Sequence, residues 1–123
     1  MIHGYHHVGL AVNNIEEVAS YLKEIFGAEF VGTRGLETPE FYSRMVKIGD
    51  SLAELLEPRG KGGLIEKFLS TRGEGIHHIS FRVDDPEEVF KKCDEKGIRT
   101  LGRRFIHPKS SHGILIEIIG PRG

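Results

Sequence analysis

The chain has 123 residues, enough for one domain that buries about two-thirds of its surface on folding. Its 17 basic and 18 acidic residues nearly cancel, which argues against a general nucleic-acid binder and favours a small-molecule partner. A single cysteine, Cys93, excludes an intrachain disulfide and is typical of a reducing compartment. No apolar run approaches ~20 residues and no basic, apolar leader precedes His6. We therefore expect neither a membrane span nor a signal peptide, and a cytoplasmic location.

The first part of the chain is predicted to form a βαβββ module. In residues 5–12, His7 and two small residues alternate with larger aliphatic residues, as in a strand with one buried face. Asn13-Asn14 is a typical helix start, apolar residues then recur at helical spacing, and Gly27 stands where a left-handed cap would end the helix. Before Pro58, three further strands are expected at residues 30–33, 41–48 and 52–56.

A glycine-rich joint and a short helix, together residues 59–75, lead into a second module of the same kind. Its helix starts at Asp84-Asp85-Pro86 and ends at Gly97. Strands are expected at residues 76–83, 99–101, 105–107 and 114–118. We therefore predict an α+β fold and a single domain of residues 1–123, with module one at 1–58, the linker helix at 59–75 and module two at 76–123.

The two modules are copies of each other. The pair His6-His7 returns as His77-His78, and the same offset carries Glu16-Glu17-Val18 onto Glu87-Glu88-Val89. Each copy opens with a histidine on a strand, and two such copies can face each other across a pseudo-twofold axis. We therefore expect the functional site at that axis.

Strand geometry separates the four histidines. Successive side chains on a strand point to opposite faces, so His6 and His7 cannot both face one cavity. His7 is in phase with the small residues that follow it, and His78 is in phase with Ser80. We predict that His7 and His78 face a cleft, whereas His6 and His77 lie on the core side or at a strand end.

The closing strand of each module carries one glutamate inside an apolar run, Glu54 in the first and Glu117 in the second. Burying a bare carboxylate among aliphatic side chains is costly unless a cation or a hydrogen-bond donor meets it. Two histidines and two glutamates from equivalent strands would form a four-ligand site that suits a borderline divalent cation. The alternative is that both glutamates point outward into water.

These residues resemble the vicinal oxygen chelate superfamily, to which glyoxalase I, extradiol dioxygenases and fosfomycin-resistance proteins belong. Within it, the chain resembles the methylmalonyl-CoA epimerase family along nearly its whole length. The matching strings are His7-Val8-Gly9-Leu10-Ala11-Val12, Glu54-Leu55-Leu56-Glu57-Pro58, Gly73-Glu74-Gly75-Ile76-His77-His78-Ile79, Arg82-Val83-Asp84-Asp85, His107-Pro108-Lys109-Ser110 and Gly113-Ile114-Leu115-Ile116-Glu117.

The resemblance implies two tandem modules that form a cleft between curved mixed sheets, and it implies a homodimer. It implies metal ligands His7, His78 and Glu117, with Glu54 at a fourth position. The metal would be a divalent ion, Co²⁺ first and Mn²⁺, Ni²⁺ or Zn²⁺ next. The stretch His107, Pro108, Lys109 and Ser110 would lie beside the acyl-CoA.

The implied activity is epimerisation of methylmalonyl-CoA through an enolate, in propionate metabolism, with no nucleic-acid or membrane partner. Glu117 would serve as ligand and base, with Glu40, Glu37 or a bound water as the second acid/base. Phosphates of CoA would meet Lys109, Arg103 and Arg104, unless these side chains are simply solvated.

The second module departs from the family pattern, because the chain between residues 98 and 117 is shorter than in the family. Either the module is shortened or a segment is missing between about Leu101 and Arg104. Three other functions stay open: glyoxalase-type isomerisation, extradiol ring cleavage with iron, and a metal-free binding module.

Overall fold

A computed structural model describes residues 1–121 of the chain. The helices are α1 (Ile15–Phe26), α2 (Leu64–Arg72) and α3 (Pro86–Lys96), with a 3₁₀ helix at Pro108–Ser110. The strands are β1 (Ile2–Ala11), β2 (Glu29–Phe30), β3 (Leu36–Glu37), β4 (Phe41–Ile48), β5 (Ser51–Pro58), β6 (Gly75–Val83), β7 (Thr100–Leu101), β8 (Phe105–Ile106) and β9 (Ile116–Ile119). The predicted α+β class is confirmed.

The chain divides into two compact units. One is formed by Met1–His7 together with the chain from His78 onward, and the other is Val8–His77. Both boundaries fall inside strands, within β1 and within β6. The module bounds read from the sequence repeat are a different division of the chain and stay a prediction.

The unit Val8–His77 is built on a mixed sheet with the strand order β2-β4-β5-β1. The end of β1 runs parallel to β5, where Gly9 lies opposite Glu54, and β4 and β5 form an antiparallel hairpin. Helix α1 begins as predicted, because the Asn14 side chain accepts a hydrogen bond from the Glu17 amide, and it ends at Gly27 with φ 74°. Its buried face packs on the sheet in a cluster of Val12, Ile15, Ala19, Ala28, Val46 and Leu55.

Strand β3 is a difference from the sequence prediction, which gave one strand at residues 30–33, whereas the structure has a short strand at Glu29–Phe30 and another at Leu36–Glu37. Both β2 and β3 pair with β4, at opposite ends of that longer strand. The chain between them approaches β4 so closely that a Cβ on Gly35 would lie 1.8 Å from the Ser43 carbonyl oxygen. Only glycine fits there, so Gly35 permits the close approach.

The other unit has the strand order β1-β6-β9-β8-β7. Strands β6 and β9 are parallel, and β9 pairs antiparallel with β8. Helix α3 starts at Pro86 and is closed by Gly97 with φ 71°, as predicted. Its Phe90 is buried with Val83 and Ile118 in the core of this unit.

Strands β7 and β8 form a tight hairpin. The Arg104 amide donates to the Leu101 carbonyl at 3.1 Å, and Gly102 and Arg103 take positive φ values of 58° and 49°. Leu101 then pairs directly with Phe105. The pairing of β7 with β8 therefore continues up to the turn formed by residues 102–104. Among the described residues, no helix is long and apolar enough to cross a membrane.

Candidate metal centre

Three predicted ligands come together inside the unit that contains Met1–His7 and the chain from His78 onward. His7 lies at the end of this unit's part of β1, His78 lies on β6, and Glu117 lies on β9. Their exposed fractions are 5%, 5% and 4%. The parallel register places Ser80 opposite Glu117, so His78, two residues before Ser80, shares the face on which Glu117 points.

The three side chains converge through one atom each. The Nε2 atoms of His7 and His78 are 3.0 Å apart, and Oε1 of Glu117 lies 3.3 Å from the first and 3.7 Å from the second. Around a cation with bonds of about 2.1 Å, neighbouring ligand atoms lie about 3.0 Å apart at right angles and about 3.4 Å apart at tetrahedral angles. The observed spacings therefore match a ligand set that surrounds one ion.

The two oxygens of Glu117 have different surroundings. Oε2 accepts a 2.7 Å hydrogen bond from Nε of Arg104, whose side chain is 66% exposed. Oε1 is buried and makes no hydrogen bond of acceptable geometry within residues 1–121, although it faces both imidazoles. A buried carboxylate oxygen without a donor is costly, and a cation is the natural partner for it.

Burial raises the pKa of Glu117, but the close approach of His7, the hydrogen bond from Arg104 and the nearby positive charge outweigh it and lower the pKa to about 2. The carboxylate is therefore ionised at neutral pH. Two imidazole nitrogens and one carboxylate oxygen are donors that suit a borderline first-row cation such as Co²⁺, Ni²⁺ or Zn²⁺. The residues present fit a divalent metal ion.

Three neighbours of this centre were missed by sequence reasoning. The ring of Phe105, which pairs with Glu117 across β8 and β9, stands edge-on to His78 with centroids 6.1 Å apart. Ser80 is fully buried, and its hydroxyl has no hydrogen-bond partner in the described part of the chain. His6, predicted to point away, has its Nδ1 only 2.8 Å from Nδ1 of His7.

The remaining predicted carboxylates belong to the unit Val8–His77. Glu54 is half-buried on β5, between the buried residues Ala53 and Leu55. Glu40 accepts a hydrogen bond from the Leu64 amide at 3.2 Å, at the start of α2. Glu37 lies 3.9 Å from the Arg59 guanidinium and is largely exposed.

The predicted substrate-binding stretch forms the 3₁₀ helix after β8. His107 precedes it, and its Nδ1 accepts a hydrogen bond from the Lys109 amide at 3.0 Å. Burial, with the charges of Arg99 and Lys109, lowers the pKa of His107, which favours this acceptor role. The Ser110 hydroxyl accepts from the Arg99 amide at 3.1 Å, so both side chains brace the turn and Lys109 is left exposed.

Two arginines proposed from the sequence to meet phosphates are engaged within the protein. Arg104 binds Glu117, as described above, and Arg103 pairs with both carboxylate oxygens of Asp94 at 3.0 and 3.1 Å. Arg103 also lies over the ring of Phe90. The third basic side chain named from the sequence, Lys109, is exposed and makes no ion pair within residues 1–121.

Known proteins resemble this chain along its length. The family model described as Glyoxalase/Bleomycin resistance protein/Dioxygenase superfamily matches residues 6–116. The human mitochondrial methylmalonyl-CoA epimerase is 31% identical over 124 residues, which cover 91% of this chain and 70% of that protein. The ethylmalonyl-CoA/methylmalonyl-CoA epimerase of Cereibacter sphaeroides is 30% identical and covers 96% of this chain and 98% of its own length.

Solved structures give the same result for the fold. Methylmalonyl-CoA epimerase from Streptomyces coelicolor, in complex with 2-nitronate-propionyl-CoA, has a TM-score of 0.89 and 27% identity, and the match covers 100% of both chains. A hypothetical protein from Bacillus halodurans has a TM-score of 0.86 at 30% identity, covering 97% of this chain and 94% of that one. The expected fold is therefore confirmed.

Proposed function

Since this chain belongs to the glyoxalase/bleomycin resistance protein/dioxygenase superfamily and, within it, to the methylmalonyl-CoA epimerase family, we propose that it interconverts (2R)- and (2S)-methylmalonyl-CoA with a divalent metal ion. The observation that carries this proposal is the buried convergence of His7, His78 and Glu117. It supplies a ligand set in a chain that is similar to epimerases over nearly its whole length.

His7 and His78 would hold the metal through Nε2, and Glu117 through Oε1. Glu54 is proposed as a fourth ligand, because it occupies on β5 the place that Glu117 occupies on the closing strand of the second module. Its half-buried carboxylate lies on the strand between the buried apolar residues Ala53 and Leu55. Co²⁺ is the proposed metal, with Mn²⁺, Ni²⁺ and Zn²⁺ as alternatives that the donor atoms also suit.

The reaction requires removal of the weakly acidic proton next to the thioester and its return to the opposite face. A bound divalent cation would supply a Lewis acid for the negative charge that develops on the thioester oxygen. Glu117 is proposed as the carboxylate that takes the proton, since it is ionised at neutral pH. We propose both roles for Glu117, metal ligand and base, although its low pKa makes it a weak base.

The second acid/base is proposed to be Glu37 or a water molecule. Glu40 is the weaker candidate, because its carboxylate already accepts the Leu64 amide at the start of α2. Glu37 is exposed, and its carboxylate makes a long ion pair with Arg59 at 3.9 Å. It can therefore move without breaking a cap.

The turn of His107, Pro108, Lys109 and Ser110 is proposed to lie beside the acyl-CoA. The side chains of His107 and Ser110 hold the turn in place, and Lys109 is exposed and cationic. Lys109 would meet a phosphate of CoA as a point charge. We also propose that the protein works as a homodimer in the cytoplasm, where its single thiol would stay reduced.

A coupled assay for epimerisation of methylmalonyl-CoA tests the proposal. Protein stripped with a chelator should be inactive, and adding back Co²⁺ should restore turnover. His78→Ala should stay inactive at the same metal concentration, whereas Glu24→Gln, a change on the exposed face of α1, should match the wild type. Equal activity in stripped and metal-loaded protein would refute the metal-dependent reaction.

A further inference from the structure

The ring of His7 makes a contact at each of its nitrogens. Nε2 faces the metal centre, 3.0 Å from Nε2 of His78 and 3.3 Å from Oε1 of Glu117. Nδ1, on the other side of the ring, lies 2.8 Å from Nδ1 of His6. The two rings meet edge to face, with an interplanar angle of 79° and centroids 5.0 Å apart. The two Nδ1 atoms are therefore within hydrogen-bond distance of each other.

The chemistry of ligation decides which ring donates. To bind a cation through Nε2, a neutral His7 must carry its proton on Nδ1. That proton then points at Nδ1 of His6, which must accept it and carry its own proton on Nε2. A second hydrogen bond of this kind holds the tautomer and the orientation of a metal-binding imidazole and raises its basicity as a ligand.

We propose that His6 is a positioning residue for the metal centre: it accepts the Nδ1 proton of His7 and so fixes the tautomer and ring orientation with which His7 binds the ion. This inference rests on the ligand set proposed above. The sequence pattern assigned His6 no such role, because neighbouring side chains on a strand leave the backbone on opposite faces. The structure nevertheless brings the two rings together, with their Nδ1 atoms 2.8 Å apart.

His6 and its counterpart in the repeat have different neighbours. The ring of His77 packs against the ring of Phe68, at a centroid distance of 5.1 Å, within the unit Val8–His77. The ring of His6 contacts the ring of the ligand His7 itself. The sequence repeats the histidine pair, but we assign the positioning role to His6 and not to His77.

Three variants test the role of His6, with Co²⁺ as the probe and calorimetric titration as the measurement. His6→Phe keeps a ring but removes the acceptor, and it should weaken Co²⁺ binding by about tenfold to a hundredfold. His6→Asn places an acceptor oxygen at a similar reach from the backbone and should restore most of the affinity. His3→Ala, on the same strand and paired with Asp84, should bind as the wild type does.

A second measurement needs no variant. In ¹⁵N-labelled wild-type protein loaded with Zn²⁺, NMR should find the His7 proton on Nδ1, with a coupling across the hydrogen bond to Nδ1 of His6. A His7 proton on Nε2, or a proton on Nδ1 without that coupling, would overturn the proposal.

The outcomes separate this inference from the proposed function. Wild-type protein that takes up no Co²⁺ would overturn the ligand set and the role of His6 together. Wild-type protein that binds Co²⁺, with His6→Phe binding equally tightly, would overturn the role of His6 alone. Loss of affinity in His6→Phe without recovery in His6→Asn would also overturn it, since the acceptor atom would not be what matters.

Discussion

In the metal-free protein, Glu117 should contribute a part of the free energy of unfolding that depends on pH. Although burial raises its pKa, the close approach of His7 and the hydrogen bond from Arg104 hold it at about 2, against an ordinary value of 4.5. Because the pKa in the folded state is the lower one, ionised Glu117 stabilises the fold above about pH 4.5, and this stabilisation is lost as the pH falls through about 2.

The magnitude follows from the two pKa values. The difference between them corresponds to about 3 kcal/mol at neutral pH, at about 1.4 kcal/mol for each tenfold change in proton affinity. Arg104 is 66% exposed, so solvent screens its share, and we expect about 2 kcal/mol. Between pH 7 and about pH 3, roughly half of this contribution should disappear.

Urea unfolding of chelator-treated protein at the two pH values measures the effect. The free energy of unfolding of the wild type should fall by about 1 kcal/mol more than that of Glu117→Gln, which has no carboxylate to titrate. Glu24→Gln, an exposed change on α1, controls for the loss of one acidic group and should follow the wild type. Parallel pH dependences for the wild type and Glu117→Gln would refute this account of the electrostatics.

Three further outcomes are expected. His7→Ala and His78→Ala should each reduce Co²⁺ affinity by orders of magnitude in calorimetric titration, because each removes a ligand atom; affinities within threefold of wild type would remove them from the ligand set. At full metal occupancy, Glu117→Gln should lower turnover by about a hundredfold or more, as expected of a positioned base, while Glu54→Gln should be mild; full activity of Glu117→Gln would leave it a ligand at most. Gly35→Ala should destabilise the fold by about 2 kcal/mol or more in urea unfolding, since its Cβ would overlap a carbonyl oxygen 1.8 Å away, and an unchanged stability would contradict the close approach.

The helices were predictable because the signals that start and end them are local. Asn14 caps α1 and Gly27 ends it in the left-handed conformation, so both bounds agree with the sequence prediction. The same holds for the start of α3 at Pro86 and its end at Gly97. Capping depends on hydrogen bonds within one turn of the chain, so the residues that form a cap can be recognised without knowledge of the tertiary contacts.

The candidate site was predictable in part. The period-two pattern placed His7 and His78 on corresponding strand faces, and the structure brings their Nε2 atoms to 3.0 Å. Glu117 stood out as a carboxylate in an apolar strand, and it lies beside both rings. The ligand roles of all three stay predictions, but their proximity follows from strand phase and pairing.

The partners of these ligands could not be read from the sequence. Arg104 reaches Glu117 because the β7–β8 hairpin closes tightly after Leu101. This contact depends on the tertiary structure, and no local sequence pattern predicts it. His6 meets His7 through side-chain torsions, which the alternation of strand faces does not determine. Strand β3 depends on the length of β4, which has room for two short partners.

Exchange of the C2 proton of methylmalonyl-CoA in D₂O tests the central claim most directly. Removal of that proton must occur in any epimerisation that passes through a deprotonated carbon. With protein loaded with Co²⁺, ¹H NMR should show loss of the C2 proton signal far faster than without protein, and chelator-treated protein should show only the background rate. No exchange above background with any of Co²⁺, Mn²⁺, Ni²⁺ or Zn²⁺ would contradict the proposed epimerase.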